Sequence, residues 1–148
     1  MRTCGYGPNG VPTFGELTCR AARGYLTVDG LRTNVFHLPV RGSGDGGIYS
    51  TLADIHSLWS ALFAGRVVSR AWVAEVVQPR SQVSESTSYG LGFWLRPSRE
   101  VVMLTGSDAG VSFHSLHDRT TRLTCTVVSN TSDGASPLTR HLDDRFLP

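Results

Sequence analysis

Apolar residues recur at helical spacing most clearly in one stretch. Ile55, Leu58, Trp59, Leu62 and Phe63 stand at i, i+3, i+4, i+7 and i+8, a single continuous stripe. In front of it Thr51 and Asp54 form a Thr-x-x-Asp variant of the capping box, which satisfies two orphan N–H groups and sets a negative charge on the positive helix end. Behind it Gly65 supplies a left-handed C′ residue. A short β-type pair, Ile48 and Tyr49, precedes the helix. A second helix is expected over residues 69–78, capped by Ser69, with Trp72, Val73, Val76 and Val77 facing inward and Pro79 stopping it.

The period then changes to two. Tyr89, Leu91, Phe93 and Leu95 alternate with Gly90, Gly92, Trp94 and Arg96, which predicts one strand. A second is expected over 101–104 after a turn at 97–99, and a third and fourth over 111–117 and 123–129, joined by the turn Asp118-Arg119-Thr120-Thr121. The end is helical again, with Asp133 or Ser136 as cap, Pro137 at N1, and Leu138, Leu142 and Phe146 recurring every four residues. Upstream, Asp29-Gly30 between short apolar stretches is a hairpin signal. Arg32, Thr33 and Asn34 beside it read as turn and surface residues, with lining a pocket of a larger protein as the alternative. Residues 1–18, rich in Gly, Pro and Thr, read as loop. The pattern predicts an α+β fold: an antiparallel sheet of about four to six strands with packing helices, including a C-terminal one.

Composition narrows what such a domain does. A chain of 148 residues fits one domain, which at this size buries about 70% of its unfolded surface. A net charge of +2 offers no basis for nucleic acid or an anionic membrane as partner. No cofactor is expected. Gly5, Gly7 and Gly10 spell G-x-G-x-x-G, but no strand precedes them and Pro8 interrupts the run. The glycines around Asp45 lack the Gly-Lys-Ser/Thr ending of a phosphate loop. No metal is expected either: Cys4, Cys19 and Cys125 have no ligand spacing, and His114 and His117, three apart on a strand, face opposite ways. With no charged-then-apolar leader and no long apolar run, neither a signal peptide nor a membrane segment is expected, and a cytoplasmic location is the default. Asn130-Thr131-Ser132 matches a glycosylation acceptor without a secretory context to support it.

Taken as a string, residues 42–69, GSGDGGIYSTLADIHSLWSALFAGRVVS, resemble the middle of the serine hydrolases related to class C β-lactamases, D-Ala-D-Ala carboxypeptidases and esterases. There a Gly-Gly-x-Tyr-Ser-Thr run leads into an Asp-containing helix, a Gly and a Val-Ser or Leu-Ser step. The resemblance continues in order at 89–93 (YGLGF), 106–113 (GSDAGVSF) and 128–131 (VSNT). It implies a partial β-lactamase/transpeptidase-like fold. Residues 1–148 would form one partial domain, with 1–20 an irregular lead-in and 21–148 the C-terminal part. It also implies an N-terminal half outside this sequence, because the family's catalytic domain is longer.

The family's nucleophile motif is Ser-x-x-Lys, in which the Lys side chain helps deprotonate the Ser. All 14 basic residues here are Arg and none is Lys. Arg cannot substitute, since it stays protonated at any working pH. The second motif, Tyr-x-Asn, is absent around Tyr6, Tyr25, Tyr49 and Tyr89. No catalytic residue is therefore assigned within this chain. The third motif, Lys-Ser/Thr-Gly or its esterase counterparts, falls at 106–113 without a Lys or His at its head. By resemblance, Tyr49, Ser107, Asp108 and Gly110 border the substrate site, where small residues let a strand edge approach a bound acyl group. A self-contained Ser107, Asp108 and His114 set is disfavoured, as no Gly-x-Ser-x-Gly elbow exists and strand alternation separates the side chains. The implied function is acyl transfer to or from a small-molecule ester, amide or β-lactam in the complete enzyme. The alternative is a non-catalytic binding module that keeps the groove.

Overall fold

The computed structural model describes residues 21–27, 29, 32–37, 43–44 and 46–146. The expected loop at 1–18, with Gly5, Gly7 and Gly10, lies outside these, as do Gly30, Asp45, Cys4 and Cys19.

Among the described residues three α-helices, α1 (Leu52–Phe63), α2 (Arg70–Val76) and α3 (Ala135–Phe146), accompany six strands. These are β1 (Ser81–Gln82), β2 (Ser88–Tyr89), β3 (Trp94–Arg96), β4 (Val101–Asp108), β5 (Val111–Asp118) and β6 (Thr124–Ser129). They form one antiparallel sheet in chain order, so every ladder joins consecutive strands. The α+β expectation with a C-terminal helix holds. No helix among the described residues is long and apolar enough to cross a membrane.

The opening helix forms as its local sequence dictates. The Thr51 hydroxyl accepts from the Asp54 N–H at 3.2 Å, and the Asp54 carboxylate accepts from the Thr51 N–H at 3.1 Å. At the other end Gly65, with φ 74°, lets its own N–H reach Leu62 O and the Arg66 N–H reach Ala61 O, at 2.9 Å each. This is the Schellman arrangement that glycine permits.

Strand alternation then divides the core between two faces. Leu95 and Val102 pack with Trp59, Leu62 and Val73 on the α1 and α2 side. Val101, Met103 and Leu116 pack with Trp94 and Cys125 on the other, the side on which α3 meets the sheet through Arg96 and His114.

Several expectations need correction. The single strand over 89–96 is a hairpin, β2 to β3, closed by a Gly90 N–H to Phe93 O bond of 2.8 Å. Gly92 at φ 88° makes the reversal, and a side chain at Gly90 would meet Val76 O at 2.4 Å. Trp72 is 60% exposed rather than inward, because a seven-residue helix has one short buried face and Val73 occupies it. Ile48 and Tyr49 belong to no strand, and Ile48 is exposed. The last helix starts at Ala135, so Ser136 lies inside it. Its first N–H is taken from across the fold: Ala135 N–H donates to Ser112 Oγ at 3.0 Å.

Candidate functional site

β4 and β5 meet in a tight turn at Ala109 and Gly110, and the turn carries three of the four residues singled out from the sequence. Ser107 pairs with Ser112, and Asp108 with Val111, at the turn end of the hairpin. Both Ser107 and Asp108 are exposed, and Asp108 Oδ1 accepts from the Ala109 N–H at 2.6 Å. β3 pairs with β4 only over residues 101–103. Among the described residues, the outer edge of β4 from Leu104 to Asp108 thus has no strand beside it, and alternate residues there turn their N–H and C=O groups outward.

Gly110 is buried, with φ 74°, and its N–H donates to Ser132 Oγ at 2.9 Å. A Cβ on it would lie 2.9 Å from both Asn34 Cβ and the Tyr25 N. The turn is stapled from beneath by Asn34. Its side chain accepts from the Gly24 N–H at 3.1 Å and donates to Ala109 O at 3.0 Å, with only 4% of the residue exposed. The segment carrying Asn34 is itself tied to the residue that follows β6, through Tyr25 N–H to Asn130 O at 2.7 Å. Ser112 Oγ donates to Thr131 O at 2.8 Å while accepting from Ala135, which joins the hairpin to the start of α3.

Tyr49 stands on a different segment, two residues ahead of the α1 cap. It is half-buried, and burial pushes its phenol above the ordinary tyrosine value. The sequence offers Asn34 a turn, surface or pocket-lining role, and its buried stapling role is none of these. Nothing local signals it, because the residue it holds is 75 positions away. Ser115 was missed for the same reason: it is fully buried and accepts from Trp59 Nε1 at 2.8 Å.

The histidines of β5 diverge as strand spacing requires. His117 stacks on Trp59 and Phe63, with centroids 5.7 and 5.0 Å apart, while His114 faces Asp143 of α3. Among the described residues no group of three or more His, Cys, Asp or Glu is placed to hold a metal ion. Burial holds both imidazoles below the ordinary histidine range, outweighing the raising effect of Asp143 on His114 and of Asp118 on His117. A histidine whose folded pKa is depressed resists protonation, so the native state binds fewer protons than the unfolded chain. Its stability is full above the unfolded value and falls as the pH drops through the window beneath it. The urea midpoint is expected to decline between about pH 7 and about pH 5. A flat midpoint over that interval contradicts this.

An open cleft of about 340 Å³ is lined by Phe63, Arg70, Val73, Ala74, Val77 and Arg119. It lies at the Val101 end of β4, away from Ser107 and Gly110, since Arg119 follows the residue that pairs with Val101.

A meander of six antiparallel strands between helices, with an open strand edge beside a stapled turn, defines part of a β-lactamase/penicillin-binding-protein-like fold. The solved structure that supports this is described as the crystal structure of penicillin binding protein from Bacillus halodurans. It superposes with a TM-score of 0.81 and 29% identity over 91% of this chain and 43% of that one. The chain therefore spans less than half the length of that protein. No family model matches the chain, and no curated protein matches it.

Proposed function

We propose that this chain is the C-terminal part of a β-lactamase-related serine hydrolase, supplying the sheet and one wall of the substrate groove. In the complete enzyme a Ser nucleophile outside these residues would be acylated by an ester, amide or β-lactam and then deacylated by water. The observation that carries this reading is the superposition at 29% identity with a penicillin binding protein over 91% of the chain. The open edge of β4 supports it, since outward N–H and C=O groups suit the backbone of an extended acyl substrate. In this reading Ser107, Asp108 and Tyr49 border the bound substrate. Gly110 shapes the turn and is no oxyanion donor, because its N–H is engaged by Ser132. Exposed Leu52, Trp72 and Val128 fit surfaces that a further segment covers.

The chain itself would be catalytically silent. Without Lys, no Ser here has the family's base. Incubation of the 148-residue chain with a fluorophosphonate probe and a fluorescent penicillin is expected to leave no covalent label. Labelling by either overturns the assignment of the nucleophile elsewhere. The coding sequence upstream discriminates further: a Ser-x-x-Lys followed by Tyr-x-Asn supports the hydrolase, and an unrelated sequence favours a non-catalytic binding module.

A further inference from the structure

Between the sheet and α3 lies a polar cluster that the proposed groove does not use. Arg96 of β3 donates through Nη2 to Asp143 Oδ2 of α3 at 2.7 Å, and His114 Nε2 of β5 stands 4.0 Å from Asp143 Oδ1. That second separation is too long for a hydrogen bond. Thr139 lies one helical turn before Asp143, on the same face of α3. Among the described residues, four buried side-chain atoms have no hydrogen-bond partner: Arg96 Nε, His114 Nε2, Thr139 Oγ1 and Asp143 Oδ1. All four belong to this cluster.

Orphaned buried polar atoms are rare in native proteins, and each one is destabilising. Four in one place therefore call for an occupant. Its chemistry follows from the atoms. Arg96 Nε–H only donates and Asp143 Oδ1 only accepts, whereas His114 Nε2 and Thr139 Oγ1 can each do either. Two donors and two acceptors result when one of the ambivalent pair donates and the other accepts. The guanidinium and carboxylate charges cancel, so the site favours neither an anion nor a cation.

We infer that one water molecule is built into this site as a structural element, donating to Asp143 Oδ1, accepting from Arg96 Nε, and completing its shell with His114 Nε2 and Thr139 Oγ1. Its four bonds join α3 to β3 and β5 at once. It accepts from Arg96 and takes a second donor from either His114 or Thr139. Burial that disfavours protonation of His114 is consistent with this, since only the neutral ring leaves Nε2 free for either role.

The test is a high-resolution crystal structure of the full 148-residue chain, paired with protein–water cross-relaxation at the His114 ring protons in solution. The expected result is a single solvent peak within about 2.6–3.2 Å of Arg96 Nε and Asp143 Oδ1, with a matching long-lived water signal at His114. A dry site in which Thr139 or His114 bonds Asp143 directly overturns the inference. So does a peak without the long-lived water signal. Thr139→Val is expected to keep the peak, since buried waters typically make about three bonds, and loss of the peak in that variant also counts against the inference.

Discussion

Replacing Trp59 by alanine is expected to lower the free energy of unfolding by about 3–5 kcal/mol, read from the urea midpoint of the purified chain. Trp59 is fully buried. Its ring packs against Phe63 and His117, with centroids 6.0 and 5.7 Å away, and meets Phe93 at 6.0 Å. Truncation removes the apolar burial, those ring contacts and the hydrogen bond to Ser115 together. Because a domain has only about 5–15 kcal/mol in all, the variant sits near the edge of folding. Trp59→Phe separates the contributions. It keeps much of the ring and loses the N–H, while Ser115 Oγ retains Thr126 Oγ1 at 2.8 Å. Its cost is expected at about 1–2 kcal/mol. A tryptophan-to-alanine loss as small as that of the phenylalanine variant would show that the ring does not anchor α1 to the sheet.

The second large effect is expected at Asn34, well away from that core. Asn34→Ala leaves the Gly24 N–H and the Ala109 carbonyl buried without partners, at about 1–3 kcal/mol for each. The loss also releases the turn that carries Gly110, so the amides of residues 108–111 are expected to exchange faster with solvent in the variant. Asn34→Asp can still accept from Gly24. It points a carboxylate at the Ala109 carbonyl, however, and is expected to be no better than alanine. An aspartate variant as stable as the parent would show that the donor half of the staple contributes nothing.

These two residues also mark how far the sequence could be read. The first helix and both of its caps were legible, because Thr51, Asp54 and Gly65 act within a few positions of one another. The hairpin after Asp118 was legible for the same local reason, whereas the second expected strand stops at residue 104 and β4 runs on to Asp108. The β2–β3 hairpin was not. Alternating glycines and apolar residues satisfy the period of a continuous strand, and what decides for a turn is the approach of Gly90 to the end of α2. The candidate site divides likewise. Ser107, Asp108 and Gly110 fall together because they share one hairpin, but the staple that holds it comes from a segment with no local sign of its destination. Trp59 was legible as a core residue, whereas its partner Ser115 looked like any polar residue on a strand.

The stapled turn has a further consequence for the order in which the molecule assembles. All the sheet ladders join neighbours in the chain, so the meander can zip up hairpin by hairpin. Asn34 must instead find a carbonyl 75 residues away, and Asn130 a carbonyl 107 residues away. Loop-closure entropy makes the first of these dearer than a hairpin of about ten residues by roughly 2 kcal/mol. The contacts that set the shape of the candidate groove are therefore the last to be made and the first to be lost, so the Gly24 amide is expected to exchange through smaller openings than the amides of β5.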